Sequence, residues 1–311
     1  MNVVMCPGQG AQRVGMGKDL AERFPAARDT FAAIDDALGA PLSRVMWEGP
    51  EDELTLTHNA QPAILAHSAA VLAAVGDRLV GATAAAAGHS LGEYSAHIAA
   101  GSVPATAAAR LVRRRGELML EAGRRRPGAM SAVLGLDPAE VEAACREASR
   151  NGEVAVPANL NSPEQTVISG DPDAVSRAGD GCKARGARRV VPLKVSGAFH
   201  SPLMAPAAEG LAEALAGAAF GDPRCPVIAN ATAEPVRRAA DAVRLLVAQL
   251  TAPVRWSDCM RAAAGLAPAA LFVEVGPGNV LAGLLKRIVP EARAVALGTA
   301  DEVERFLEGE R

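Results

Sequence analysis

The feature that most restricts the fold of this chain is a glycine–serine turn between an apolar run and a helical run. Residues 82–87 are an alanine-rich run typical of a buried strand, and residues 91–100 have the composition of a helix. Between them lies Gly88-His89-Ser90-Leu91-Gly92, with a glycine two positions before and two positions after the serine. Such a strand-to-helix turn holds the serine exposed and strained at the start of the helix. The pattern therefore predicts an α/β fold with Ser90 as a candidate nucleophile.

Strands and helices alternate along much of the chain. Strands are predicted at residues 3–6, 82–87 and 271–275, and helices at residues 19–38, 61–79, 91–100, 105–122 and 280–288. Pro62 is acceptable in the first turn of the second of these helices. Alternation of this kind is typical of a parallel sheet that is covered by helices on both faces.

Residues 129–195 have a different order of elements. Strands are predicted at residues 129–136, 154–161, 166–170 and 188–195, and helices at 138–149 and 172–185. The order β-α-β-β-α-β is that of a ferredoxin-like unit, and it is entered through the breaker-rich run 123–128. We therefore predict a small domain at residues 127–196, inserted into a discontinuous large domain at residues 1–126 and 197–311.

Composition and charge exclude several classes of protein. The net charge of −3 disfavours general affinity for nucleic acids or membranes. Five scattered cysteines without a C-x-x-C pair fit reduced thiols better than a disulfide framework or a zinc site. Residues 1–6 lack the basic start and apolar run of a signal peptide, and the apolar stretch 71–88 is interrupted by Asp77 and Arg78. We expect a cytoplasmic protein with no nucleic-acid or membrane partner.

Several motifs resemble one known family. In chain order they are CPGQGAQ from Cys6, GHSLGEYSA from Gly88, RGELM from Arg115, NLNSP from Asn159, GAFHSP from Gly197, QL from Gln249, PVRW from Pro253 and GPGNVL from Gly276. Together they resemble the malonyl-CoA:acyl-carrier-protein transacylases, which include fatty-acid enzymes and the acyltransferases of polyketide synthases. The likeness spans nearly the whole chain and implies a hydrolase-like α/β large domain with an inserted ferredoxin-like small domain. That fold agrees with the predicted order of elements.

The base that activates Ser90 is predicted to be His200. His58, His67 and His97 lie in helical or turn contexts, and the side chain of His89 should point away from the Ser90 Oγ. His200 matches the catalytic histidine of the family, so the resemblance implies a Ser–His dyad.

The third member of a hydrolase triad has no clear candidate. A triad of that type places Asp or Glu between the serine and the histidine in chain order. Asp171, Asp173 and Asp180 lie late in that interval, but all three fall in the predicted small domain. The resemblance implies instead that a main-chain carbonyl, at Gln249, orients the imidazole.

Two backbone N–H groups are predicted to form an oxyanion hole. Leu91 comes first after the candidate nucleophile, where a backbone donor faces the reacting carbonyl. The resemblance implies that the second donor is the backbone of Gln9, in the loop after the first strand. This glycine-rich loop is not a phosphate loop, because no G-x-x-x-x-G-K follows.

The resemblance also implies a substrate pocket that contains Arg115, Phe199, Gln61 and Asn161. Arg115 matches an arginine that binds the malonyl carboxylate, whereas Arg113 and Arg114 read as a solvated basic face. Phe199 would crowd an α-methyl branch, which favours malonyl over methylmalonyl, and Leu91 points weakly the same way. Gly197 departs from the family pattern, in which histidine is common.

The implied reaction has two steps and two partners. Malonyl-CoA would acylate Ser90, and the phosphopantetheine thiol of an acyl carrier protein would then accept the malonyl group. Because one thioester is exchanged for another, no metal, nucleotide or redox cofactor is expected.

Residues 124–126, or Arg185 with residues 188–189, are candidate docking groups for the carrier protein or plain surface. The alternative functions are a serine thioester hydrolase and a non-catalytic scaffold that binds carrier proteins. We expect a monomer. The sequence leaves open whether the pathway is fatty-acid or polyketide synthesis.

Overall fold

The computed structural model describes residues 1–309. Within this range the chain forms two β-sheets, and helices pack against both. The strands are β1 (Asn2–Cys6), β2 (Thr83–Gly88), β3 (Ala129–Leu134), β4 (Ala155–Ser162), β5 (Gln165–Gly170), β6 (Arg189–Pro192), β7 (Val227–Ile228), β8 (Pro235–Val236), β9 (Leu271–Val275) and β10 (Arg293–Leu297).

The helices precede, follow and connect these strands. They are α1 (Lys18–Arg23), α2 (Pro25–Leu38), α3 (Leu42–Glu48), α4 (Glu51–Thr55), α5 (Thr57–Val75), α6 (Asp77–Val80), α7 (Gly92–Ala99), α8 (Ala105–Arg125), α9 (Pro138–Ala148), α10 (Pro172–Ala184), α11 (Ala205–Ala216), α12 (Ala239–Ala248), α13 (Trp256–Leu266), α14 (Val280–Ile288) and α15 (Ala300–Glu308). Across the described residues 1–309, no helix combines the length and the apolar character that crossing a bilayer requires.

The larger sheet has the order β10-β9-β1-β2-β7-β8. All neighbours from β10 to β7 are parallel, and only β8 is antiparallel. Side chains of β1 alternate between two hydrophobic layers: Val4 packs in one, and Val3 and Met5 pack in the other. Because successive side chains of a strand point to opposite faces, the sheet is buried on both sides. The predicted α/β class is confirmed.

The smaller sheet is antiparallel and has the order β4-β5-β3-β6. Its chain order is β3-α9-β4-β5-α10-β6, as predicted. One of its faces shares a separate hydrophobic cluster with α9 and α10, which includes Val133, Val141, Ile168 and Ala178. This sheet therefore has a core of its own.

A backbone bridge joins the smaller sheet to the rest of the molecule. The Leu160 N–H donates to the Val254 carbonyl at 2.9 Å, and the Val254 N–H donates to the Ala158 carbonyl at 2.8 Å. Strand β4 is thereby attached to the segment between α12 and α13, in addition to the two places where the chain enters and leaves residues 127–196.

Most predicted elements differ from the structure by at most three residues in total, and three elements differ more. The helix predicted at residues 19–38 is two helices, because Pro25 disfavours helical backbone at Phe24, which is extended. The helix predicted at 61–79 begins at Thr57, so Pro62 lies inside α5, and it ends at Gly76, before α6. The strand predicted at 188–195 is shorter, Arg189–Pro192.

Candidate active site

The turn between β2 and α7 has the sharp geometry that its glycines predict. Ser90 has a φ of 54°, in the left-handed region that non-glycine residues rarely occupy. A Cβ at Gly88 would lie 1.9 Å from the Gly92 carbonyl carbon, and one at Gly92 would lie 2.3 Å from the Cys6 carbonyl oxygen. Both glycines are therefore required by the close approach of backbone segments. The turn holds Ser90 at the beginning of a helix.

Ser90 and His200 are in hydrogen-bond contact. The Ser90 Oγ lies 2.8 Å from the His200 Nε2. His200 is 4% exposed, and it also has a positive φ, 56°. The adjacent Ser201 holds this segment, since its hydroxyl donates to the Ala198 carbonyl at 2.6 Å. Burial, with a smaller effect of the nearby Arg115 charge, lowers the pKa of His200 to about 3, so the imidazole is neutral and can accept a proton.

The other imidazole nitrogen is held by a main-chain carbonyl. The His200 Nδ1–H donates to the Gln249 carbonyl oxygen at 2.9 Å. This bond fixes the tautomer in which Nε2 faces Ser90 as an acceptor. Within residues 1–309 no carboxylate oxygen is hydrogen-bonded to His200, so a neutral carbonyl occupies the position that a triad carboxylate would take.

Two backbone donors next to the nucleophile have no acceptor. In the described part of the chain, neither the Leu91 N–H nor the Gln9 N–H makes a hydrogen bond to protein. The two loops are in contact, since a Cβ at Gly8 would lie 2.6 Å from the His89 carbonyl oxygen. Gln9 and Leu91 both line the cavity that contains Ser90.

Arg115 lies beneath the nucleophile and is 1% exposed. Its guanidinium donates from Nη2 to the Ser90 Oγ at 3.1 Å and to the Gln249 Oε1 at 2.9 Å, and from Nη1 to the Gln61 Oε1 at 2.7 Å. Among the described residues, Arg115 has no ion pair and its Nε–H has no acceptor. Burial lowers the pKa of Arg115, and the nearby Tyr94 and Glu93 oppose that effect. A buried cation without a carboxylate partner is a site for an anionic ligand.

A cavity of about 460 Å³ opens above Ser90. The loops that follow β1 and β2 line it, and Met130, Asn159 and Lys194 from residues 127–196 also contribute. Phe199 is 6% exposed and also lines it, beside His200. A Cβ at Gly197 would lie 3.2 Å from the Gly123 Cα, so the close packing of α8 explains why a small residue stands at this position.

Gln61 and Asn161, both predicted to bind substrate, lie behind the wall of the cavity rather than on it. Gln61 is fully buried and accepts from Arg115. The Asn161 Oδ1 lies 2.8 Å from the His89 Nε2, which also accounts for the side chain of His89. Each of these residues therefore contacts a cavity residue, and neither lines the space that a ligand would occupy.

Two residues at the centre of the site were not predicted from the sequence. The Asn230 Oδ1 accepts from the Ser90 N–H at 2.7 Å, and its Nδ2 donates to the Gly88 carbonyl at 2.8 Å. Glu93 is 1% exposed and accepts hydrogen bonds from Asn230 and Gln249. No local pattern marks Asn230; the only signal for Glu93 is its position in the first turn after the elbow.

Three of the six candidate docking arginines are paired with carboxylates. Arg125 forms an ion pair with Glu121, and Arg126 forms one with Asp171 at 2.8 Å. Arg185 is shared by two glutamates of α9, Glu140 and Glu147. These arginines therefore serve local contacts in the structure.

The fold and the site together define a class of protein. A serine on a strained strand-to-helix turn, a neutral histidine in contact with it and two free backbone donors are the parts of a serine-dependent acyl-transfer site. The sequence profile of the family described as "Acyl transferase domain" matches residues 3–305, and the chain belongs to this family.

Relatives of known name match over nearly their full length. The chain is 45% identical to the malonyl CoA-acyl carrier protein transacylase of Escherichia coli strain K12, over 97% of each chain. It is 43% identical to the protein of the same name from Bacillus subtilis strain 168, over 96% of this chain and 93% of the relative. A malonyl-transacylase solved in complex with its type II PKS acyl-carrier protein is 42% identical, with a TM-score of 0.93 and 99% of each chain covered.

Proposed function

We propose that this protein transfers a malonyl group from malonyl-CoA to the phosphopantetheine thiol of an acyl carrier protein, through a malonyl ester on Ser90. The observation that carries the proposal is that the Ser90 Oγ contacts both a neutral base, His200, and a buried unpaired cation, Arg115. The base activates the serine, and the cation selects an acyl group that ends in a carboxylate. The names of the relatives support this substrate and this acceptor.

The first step acylates the enzyme. The His200 Nε2 takes the Ser90 hydroxyl proton while Oγ attacks the thioester carbonyl carbon. The backbone N–H groups of Gln9 and Leu91 donate to the oxyanion that forms. The C–S bond then breaks, the imidazolium returns its proton to the departing CoA thiolate, and the malonyl ester remains on Ser90.

The second step reverses this chemistry with another thiol. His200 takes a proton from the phosphopantetheine thiol, the sulfur attacks the ester, and Ser90 is released with its proton restored. A thiolate is a good leaving group, so an imidazolium held by the neutral Gln249 carbonyl is sufficient. The reaction exchanges one thioester for another, and we propose that it uses no metal, nucleotide or redox cofactor.

The remaining predicted site residues have supporting roles in this proposal. Phe199 narrows the cavity and favours malonyl over methylmalonyl. Gln61 holds the Arg115 guanidinium in place, and Asn161 holds His89 beside the turn. The transferred malonyl units would supply fatty-acid or polyketide synthesis.

The architecture is part of the same proposal. Residues 1–126 and 197–311 would form a hydrolase-like large domain, and residues 127–196 a ferredoxin-like small domain that supplies one wall of the cavity. The β-α-β-β-α-β order and the antiparallel order β4-β5-β3-β6 support the second assignment. A cytoplasmic monomer stays a prediction.

The test is to incubate the protein with malonyl-CoA, with and without a phosphopantetheinylated acyl carrier protein. We expect intact mass spectrometry to show a malonyl adduct on the protein alone and a malonylated carrier when both are present. Ser90→Ala should show neither. Continued CoA release over many turnovers without a carrier would instead identify a thioester hydrolase.

A further inference from the structure

We propose that Glu93 is a positioning residue of this site, and that one of its carboxylate oxygens fixes both the segment that orients His200 and the segment that holds the Ser90 turn. The inference rests on the function proposed above, since it concerns the same reaction. It assigns a role to a buried acid that neither step of the mechanism uses.

The contacts of Glu93 converge on a single atom. Its Oε2 accepts from the Gln249 Nε2 at 2.8 Å and from the Asn230 backbone N–H at 2.9 Å. Gln249 follows α12 and Asn230 follows β7, so these segments approach Glu93 from distant parts of the chain. Burying a carboxylate is costly unless hydrogen bonds compensate it, and here both bonds lead into the active site.

The bond from Gln249 to Glu93, together with one from the same Nε2 to the Ser90 carbonyl at 3.0 Å, fixes which way the Gln249 amide faces. Because Nε2 is directed at the carboxylate, Oε1 is left to accept from the Arg115 Nη2 at 2.9 Å. If the Gln249 amide were reversed, its NH₂ group would face the Arg115 guanidinium, and two hydrogen-bond donors would oppose each other. The carbonyl of the same residue accepts from His200 at 2.9 Å. Glu93 therefore fixes a residue that contacts both the base and the cation.

The bond to Asn230 supports the nucleophile. The side chain of Asn230 spans the turn, since it accepts from the Ser90 N–H and donates to the Gly88 carbonyl. A residue with positive φ at an active site persists only where surrounding contacts hold it, and Asn230 supplies two of them. Glu93 holds Asn230 by its backbone.

Charged and titratable groups lie near the carboxyl group of Glu93. Arg115 is the cation that acts on it, and the buried groups Tyr94 and Cys259 are also within electrostatic range. Burial raises the pKa of Glu93 to about 7, against the opposing effects of its hydrogen bonds and of Arg115. The site thus contains a carboxylate that contacts His200 only through Gln249.

Three variants and one control test this role. Glu93→Ala removes the acceptor, Glu93→Asp keeps the charge but is one methylene too short, and Glu93→Gln keeps an oxygen that can accept both bonds. Glu274 is the control: it is also fully buried, its pKa is also raised to about 7, and it accepts from the Leu281 and Ala282 N–H groups, away from Ser90. All are compared by thermal unfolding and by malonyl transfer to a carrier protein.

We expect kcat of Glu93→Ala to fall about a hundredfold with KM for malonyl-CoA nearly unchanged, because displacement of reacting groups by about 1 Å costs this much. Glu93→Asp should lose at least tenfold, Glu93→Gln should recover to within about fivefold of the wild type, and Glu274→Ala should lose stability but keep kcat. If the alanine variants at positions 93 and 274 lose kcat equally, or if Glu93→Gln is as impaired as Glu93→Ala, the proposal is wrong.

A separate readout keeps this test independent of the proposed substrate. In protein labelled with ¹⁵N-histidine, the His200 Nδ1–H that donates to Gln249 should give a protected resonance in the wild type and in Glu93→Gln. That resonance should exchange faster in Glu93→Asp. Absence of any malonyl adduct in the wild type would refute the proposed function alone, whereas an unchanged resonance in Glu93→Asp would refute the role of Glu93.

Discussion

The Arg115 guanidinium and the Ser90 hydroxyl are direct hydrogen-bond partners, with Nη2 3.1 Å from Oγ. The group proposed to select the acyl chain therefore touches the atom proposed to be acylated. A malonyl ester on Ser90 would place its free carboxylate within reach of the same side chain. In the proposed reaction, substrate selection and covalent chemistry share this one contact, and substitutions of Arg115 can separate them.

Removing the cation should affect malonyl transfer more than acetyl transfer. Each charge-assisted hydrogen bond to the carboxylate contributes about 1.5–3 kcal/mol, so loss of two should lower kcat/KM for malonyl-CoA about a hundredfold or more in Arg115→Ala. Acetyl-CoA, which has no carboxylate, should lose far less. The measurement is the ratio of the two rates of CoA release in the presence of carrier protein.

Arg114→Ala is the matched control, because Arg114 is the preceding residue of α8, is half exposed and pairs with Glu117 at 3.6 Å. It should leave the malonyl-to-acetyl ratio unchanged. Equal losses for both acyl groups in Arg115→Ala would show that the arginine has a structural role only.

Reducing Phe199 should widen the acyl pocket. Phe199→Ser removes a ring that lines the cavity beside His200, and we expect kcat/KM for methylmalonyl-CoA to rise about tenfold relative to malonyl-CoA, since one methyl group in an apolar pocket is worth about 1–3 kcal/mol. Competition between the two CoA esters, read by carrier-protein mass, gives this ratio directly. An unchanged ratio would mean that Phe199 does not set the width.

The glycines of the turn should tolerate no side chain. Gly88→Ala would place a Cβ 1.9 Å from the Gly92 carbonyl carbon, so we expect a loss of more than about 3 kcal/mol in the free energy of unfolding. Gly265→Ala, in α13, meets no atom within 4 Å and should stabilise the protein by about 0.5–1 kcal/mol. Urea unfolding of both variants measures the contrast, and similar effects would contradict it.

Buried histidines should make the protein sensitive to acid. Burial lowers the pKa of His97 to about 4, from 6.5, so the unfolded chain binds its proton first and stability falls as pH drops below about 6.5. The pKa of Glu274 is raised to about 7, so the folded protein binds this proton more tightly than the unfolded chain does. Its contribution to the free energy of unfolding is therefore present at low pH and is lost as pH rises.

His97→Gln isolates one of these contributions. The free energy of unfolding of the wild type exceeds that of the variant by an amount that should decrease by about 1.4 kcal/mol for each pH unit as the pH falls from 6.5 to 4.5. The reason is that only the wild type has this titrating group. Urea unfolding at pH 5, 6 and 7 measures the difference. A difference that does not change with pH would show that His97 is not buried as a neutral group.

Most of the fold could be predicted because breakers mark the ends of its elements. β9 and α14 have the predicted bounds, and Gly276 to Gly278 separates them. Several elements were nevertheless missed: β7, β8, β10, α3, α4, α11, α12, α13 and α15. For β7 and β8 the reason is their length, since two residues carry no detectable period. The start of α5 was also missed, because residues 57–61 are largely polar although four of the five are buried.

The parts of the site with local patterns were predicted, and those set by tertiary contacts were not. Ser90 and Leu91 follow from the turn itself, whereas the resemblance was needed for His200, Gln249 and Arg115. Asn230 reaches the turn only because β7 pairs beside β2, and a two-residue strand gives no warning of that pairing. Glu93 resembles an ordinary acid in the first turn of a helix, where the dipole favours negative charge, and its burial is visible only in three dimensions.

The hydrogen-bonded bridge between β4 and Val254 limits which parts of this fold can be replaced in chimeric proteins. An inserted domain that is connected only where the chain enters and leaves it could be exchanged as a unit for another domain. Here the third attachment follows closely after Gln249, whose carbonyl holds the imidazole. A replacement without an equivalent strand would leave that segment unanchored and misalign the base. Chimeras should therefore keep β4 with the large sheet and vary only the outer helices, α9 and α10, and their loops.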